Sequence, residues 1–123
     1  MKLQLDNPVG QNIITGYGDD YVLINQQRYE KSLIVTPDRL IPDWGPGSIA
    51  ELAASHLEFL VGLSPEIVLL GTGRSLAFPP PALMRCLSQS NIGLEIMDNG
   101  AACRTYTILM AERRNVLAAL LVG

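Results

Sequence analysis

The sequence predicts a single α/β domain with three layers: a central mixed, mostly parallel sheet flanked by helices, plus an N-terminal β-hairpin. Three observations predict it. From residue 66 onward, short apolar runs alternate with segments of helical period, the pattern of strand–helix–strand crossovers. The first third instead carries β-rich runs separated by turn formers. The chain has 123 residues, 48% of them hydrophobic, enough for one core and one domain spanning 1–123.

The elements follow in order. Asn12 to Tyr17 and Tyr21 to Asn25 read as strands joined through Gly18-Asp19-Asp20, a hairpin. Gln26-Gln27 marks another turn. Arg28 to Thr36 reads as a third strand, broken by Pro37-Asp38, and Asp38 to Gly47 as a loop holding the single tryptophan, Trp44. Ser48 with Glu51 three residues later forms a capping-box pattern. Ile49, Leu52, Ala53, His56, Leu57 and Leu60 continue at helical spacing, and Gly62 is the stop. Glu66 to Leu70 is a strand. Pro79-Pro80-Pro81 leads into a helix from Pro81 to Gln89, since proline is tolerated in a first helical turn. Gly93 to Met97 is a strand, and Asn99 to Asn115 a helix with Asp98 or Asn99 as its N-cap. Val116 to Val122 closes the chain as a strand. The leading hairpin either extends the main sheet or packs as a separate β layer.

Charge and composition exclude several classes. The net charge is -3, and the nine basic residues are scattered, whereas phosphate-backbone binding needs a basic face. No apolar run approaches the roughly 20 residues of a spanning helix. Met1 to Pro8 lacks the apolar core of a signal peptide and the character of a transit peptide, so a cytoplasmic location is expected. Two cysteines, Cys86 and Cys103, make no disulfide framework, and with one histidine they make no metal site. Gly71-Thr72-Gly73 lacks the third glycine of a dinucleotide fingerprint and the Gly-Lys-Ser/Thr of a P-loop, so no cofactor is expected. The hairpin edge leaves monomer and homodimer both open.

Two loop-to-helix junctions carry the candidate site. They are Gly71-Thr72-Gly73, after Ile67 to Leu70, and Asp98 through Tyr106, after Leu94 to Met97. Loops at the carboxyl ends of parallel strands lie side by side and line the ligand crevice. Gly71, Thr72, Gly73, Asp98, Asn99, Cys103, Arg104, Thr105 and Tyr106 are thus the candidate ligand-binding residues, a set suited to an anion. Each has a structural alternative. The glycines fit a tight turn equally well. Cys103 is either a thiolate activated by the helix start and Arg104, or a small packing residue. Arg104 either grips a carboxylate or phosphate, or pairs with Glu95 or Glu112. Thr105 and Tyr106 either donate hydroxyls or cap and pack. His56 is either a half-buried, satisfied side chain or a base, and Trp44 either a partner anchor or a pin for its loop.

Four motifs taken together resemble a known family. They are Gly71-Thr72-Gly73 followed by Phe78-Pro79; Gly93-x-Glu95-x-Met97; Ala101-Ala102-Cys103-Arg104-Thr105-Tyr106; and Glu112-Arg113-Arg114-x-Val116-x-Ala118-Ala119-Leu120. The chain resembles the small MTH-type domain family of unknown biochemical function, known mostly from structural genomics. That family includes a mitochondrial complex I assembly factor and the adipogenesis-associated MTH-type domain protein. Two positions depart from its pattern: Asn99, where threonine is common, and Thr107, where asparagine is common. The resemblance implies a three-layer α/β fold and no established catalysis. The leading expectation is a non-enzymatic binding or assembly factor acting through protein partners, with respiratory complex assembly the role the resemblance implies. The alternative is a small enzyme acting on an anionic metabolite at the crevice of Gly71–Gly73 and Cys103–Arg104.

Overall fold

The strands divide between two sheets in the computed structural model, which describes residues 11–123. The expectation drawn from Met1 to Pro8 lies outside the described residues. The first sheet is antiparallel, with β1 (Ile14–Gly18), β2 (Tyr21–Ile24) and β3 (Gln27–Tyr29) in that order. Gly18 pairs with Tyr21 across Asp19-Asp20, as the hairpin reading requires. Asn25 and Gln26 close the next hairpin at φ 53° and 71°, the left-handed pair of a type I′ turn. A bulge between Ile14 and Gly16 interrupts β1 just before Tyr17. Bulges increase local twist and re-aim side chains.

The second sheet contains β4 (Leu33–Thr36), β5 (Arg39–Ile41), β6 (Ile67–Gly71), β7 (Gly93–Met97) and β8 (Val116–Leu120). Its order is β5-β4-β8-β6-β7. The strands β8, β6 and β7 run parallel, while β4 is antiparallel to both β8 and β5. The helices α1 (Ala54–Gly62) and α2 (Pro81–Gln89) cover one face. There Leu57, Leu60 and Leu87 pack on Ile34, Val68, Leu70, Leu117 and Ala119. The helix α3 (Asn99–Ala111) and the three-stranded sheet cover the other face. There Ile14, Val22, Ile24, Ala102 and Tyr106 pack on Leu33, Val35, Leu69, Ala118 and Leu120. Alternate residues of each central strand therefore feed opposite cores, which is why β8 reads as an unbroken apolar run. The hairpin is a separate β layer.

Several expected boundaries move. Arg28 to Thr36 is two strands in different sheets, because exposed Glu30 and Lys31 separate the β3 edge from wholly buried β4. The expected loop 38–47 opens with β5, folded back on β4 across Pro37-Asp38; Thr36 Oγ1 donates to Asp38 Oδ1 at 2.9 Å in that turn. Ser48 does not start α1. Ile49–Glu51 is one 3-10 turn, after which Leu52 is extended (φ −69°, ψ 129°). The Glu51 carboxylate accepts from the Gly47 N–H at 2.8 Å instead of closing a box with Ser48. The α1 start is held by His56, whose Nδ1 accepts from the Ala53 N–H at 2.9 Å. Lastly, α3 ends at Ala111 because Arg113 takes φ 64°, which terminates the helix.

Trp44 is a pin. Its side chain is buried, and its backbone N–H donates to the Ser32 carbonyl at 2.8 Å. Ser32 Oγ in turn donates to the Val122 carbonyl at 3.1 Å and accepts from the Val122 N–H at 2.8 Å. The end of the chain is thereby fastened beside β4.

Candidate functional site

The ends of β6, β7 and β8 are laced together. The Thr72 N–H donates to the Met97 carbonyl, the Asn99 N–H to the Gly73 carbonyl and the Leu121 N–H to the Gly71 carbonyl, each at 2.9 Å. The Asn99 side chain adds two bonds, accepting from the Gly73 N–H at 3.1 Å and donating to the Leu121 carbonyl at 2.9 Å. Only glycine fits at position 71, since a Cβ there would overlap the Asn99 amide and a Leu120 methyl. Asp98 is the N-cap of α3, its Oδ1 accepting from the Ala101 N–H at 2.8 Å.

Above this lacing lies an open cleft of about 460 Å³. Gly73 and Arg74 come from the first junction. Asp98, Asn99, Gly100 and Arg104 come from the start of α3. Tyr17, Gly18 and Asp19, at the tip of the β1–β2 hairpin, form the third wall. Arg104 Nη1 donates to the Tyr17 hydroxyl at 2.6 Å. That leaves the phenolic hydrogen available to donate to a ligand. Neither Glu95 nor Glu112 is an ion-pair partner of Arg104, and among the described residues Arg104 and Arg74 form no ion pair. Gly100 admits the Tyr17 ring: a Cβ there would lie 3.0 Å from Tyr17 Cε1 and 3.3 Å from Arg104 Nη1.

The structure brings Gly73, Asp98, Asn99 and Arg104 into the cleft and uses the other expected residues beneath or beside it. Gly71 is buried at the end of β6. Thr72 Oγ1 donates to the Ser75 carbonyl at 2.7 Å and accepts from the Ala77 N–H at 3.1 Å, fixing its own loop. Thr105 is half-buried on α3. Tyr106 is wholly buried, its hydroxyl donating to the Asn12 carbonyl at 2.9 Å, and burial raises its pKa. Cys103 occupies a packing position. It points into the core at 2% exposure, and burial pushes its thiol up to about 12 although the Arg104 charge acts in the opposite sense. Desolvation outweighs the arginine. Thr107, the other unusual position, bonds back to the Cys103 carbonyl at 3.1 Å.

The hairpin wall was not legible in the sequence. Gly18-Asp19-Asp20 signalled a turn, but nothing local placed it beside Arg104, whose partner Tyr17 lies 87 positions earlier. No helix among the described residues is long and apolar enough to cross a membrane.

These features define a small MTH-type α/β domain. The pattern of the family described as "Protein of unknown function (DUF498/DUF598)" matches residues 14–121, and the chain belongs to that family. A solution NMR structure of a Bordetella pertussis protein, described as a Mth938-like domain, is similar with a TM-score of 0.83 and 34% identity. It covers 99% of this chain and 92% of that one. The chain is 28% identical over 95 residues to a "13 kDa major membrane protein" of Francisella tularensis, covering 76% of this chain and 77% of that protein. It is also 29% identical over 110 residues to NADH dehydrogenase (ubiquinone) 1 alpha subcomplex assembly factor 3 of Xenopus tropicalis. That match covers 88% of this chain and spans 60% of the assembly factor's length.

Proposed function

We propose that this protein is a non-enzymatic binding or assembly factor in the cytoplasm, acting through a protein partner whose acidic group docks in the Tyr17–Arg104 cleft. The observation that carries this reading is the state of Arg104. It is exposed, held by the Tyr17 hydroxyl at 2.6 Å, and forms no ion pair among the described residues. A guanidinium oriented in this way has donors left for a carboxylate. Relatives named as complex I assembly factors support work on protein partners, and respiratory complex assembly is the finer form of the proposal. A small free anion would use the same donors.

The test is gentle affinity capture from native lysate with wild type and Arg104→Ala side by side. A stoichiometric partner held by wild type and lost from an equally folded Arg104→Ala supports the reading. Equal capture by both proteins removes the cleft from it, and no partner at all counts against the binding role.

A further inference from the structure

We propose that His56 and Trp44 form a proton-operated latch on the start of α1, separate from the cleft. They are the single histidine and the single tryptophan of the chain. Their rings meet edge to face, with centroids 5.9 Å apart and planes at 73°. The α1 start has alanine, Ala53, at the N-cap position, so it lacks the usual hydroxyl or carboxylate cap. The imidazole makes only the reciprocal bond of a capping box, its Nδ1 accepting from the Ala53 N–H at 2.9 Å.

This bond exists only in the neutral ring. An Nδ1 that accepts places the hydrogen on Nε2. A proton taken up at Nδ1 would set N–H against N–H, and the bond is lost. The new charge would also sit in the first turn of α1, at the positive end of its dipole. Few charged groups oppose this. Asp43 lines the hollow beside the rings and lies 3.8 Å from Lys31 Nζ. Glu51, from the 3-10 turn, has its carboxylate on the Gly47 N–H, and Glu58 lies two residues further along α1.

The closed state also carries a cost that opening relieves. Trp44 Nε1 is buried without a hydrogen-bond partner among the described residues, and an unpaired buried donor is unfavourable. A hollow of about 260 Å³, walled by Ile41 and Phe59, adjoins both rings and gives the imidazole room to turn. Lowering the pH thus releases the α1 start and lets the indole N–H reach water.

The experiment follows Trp44 emission and Ala53 amide protection by NMR from about pH 8 to about pH 5. Wild type is compared with His56→Gln and His56→Ala. Glutamine at this helix position keeps an acceptor for the N-cap amide but does not titrate. In wild type, acidification is expected to move Trp44 emission to longer wavelength and to lower Ala53 protection about fivefold, the loss of one hydrogen bond. His56→Gln is expected to show neither change. His56→Ala should appear released at both pH values; if it does not fold, wild type against His56→Gln decides. Unchanged Ala53 protection in wild type overturns the latch, even if emission changes, because protonation alone can quench the indole. The same pH response in His56→Gln overturns it equally.

Discussion

Tyr17 on β1 and Arg104 on α3 are joined by a 2.6 Å hydrogen bond across 87 positions of sequence. The bond ties the tip of the small sheet to the helix that caps the main one, and it aims the guanidinium into the cleft. Removing the phenolic oxygen while keeping the ring isolates that role. Tyr17→Phe is expected to change stability by less than about 1 kcal/mol, because the bond is exposed. Anion or partner binding should weaken in the same direction as in Arg104→Ala. Thermal unfolding beside a binding titration checks both; unchanged binding in Tyr17→Phe would mean that Arg104 needs no positioning.

Gly71→Ala is expected to be among the most damaging single-methyl additions. The Cβ would overlap the Asn99 amide and Leu120, and Asn99 is itself bonded to Gly73 and Leu121. Overpacking of this kind costs about 1–3 kcal/mol, and the lost bonds add to it. Urea unfolding should show a midpoint well below wild type, and a change under about 0.5 kcal/mol would contradict this account of the lacing.

Cys103 should be the slower of the two thiols. Cys86 is half-buried and Cys103 buried, so native iodoacetamide labelling is expected to modify Cys86 first. Peptide mapping by mass spectrometry reads the order, and rapid labelling of Cys103 would contradict its placement in the core.

The same thiol sets an alkaline limit. Its folded pKa lies near 12, against an ordinary value of 9.0, so above about pH 9 the unfolded chain releases a proton that the folded chain keeps. Stability contributed at this position is fully present below pH 9 and falls as pH rises toward 12; Tyr106, also raised, adds to the decline. The stability advantage of wild type over Cys103→Ala should therefore shrink between about pH 9 and pH 11. A constant difference across that range would contradict the buried neutral thiol.

Ser32→Ala removes the side chain that both donates to and accepts from Val122. Leaving those two buried backbone groups unpaired is expected to cost about 1–3 kcal/mol, read from the urea midpoint. No loss would mean that water takes the place of the hydroxyl.

Much of this architecture was legible in the sequence where local chemistry acts alone. The apolar runs of β6, β7 and β8, the proline entry to α2 and the Asp98 cap all follow from period, propensity and capping. The rest depended on tertiary choices. Glu30 and Lys31 do not look like a sheet boundary until the two sheets are seen to diverge there. Ser48 and Glu51 spell a capping box, yet Glu51 finds the Gly47 amide first and the helix begins at Ala54. Within the site, spacing pointed to two junctions, and Gly73, Asp98, Asn99 and Arg104 from them line one cleft. Spacing left both packing and chemistry open for Cys103 and Tyr106, which face inward on α3. Tyr17 was invisible because its partner lies in another layer.

The most direct test of the central claim is a titration of the ¹⁵N-labelled protein with a short acidic peptide and, separately, inorganic phosphate, in wild type and Arg104→Ala. The account predicts saturable shifts centred on Gly73, Asn99, Gly100 and Arg104 in wild type with at least one probe, and their loss in a folded Arg104→Ala. Shifts confined to another surface, or cleft shifts that survive Arg104→Ala, would contradict it.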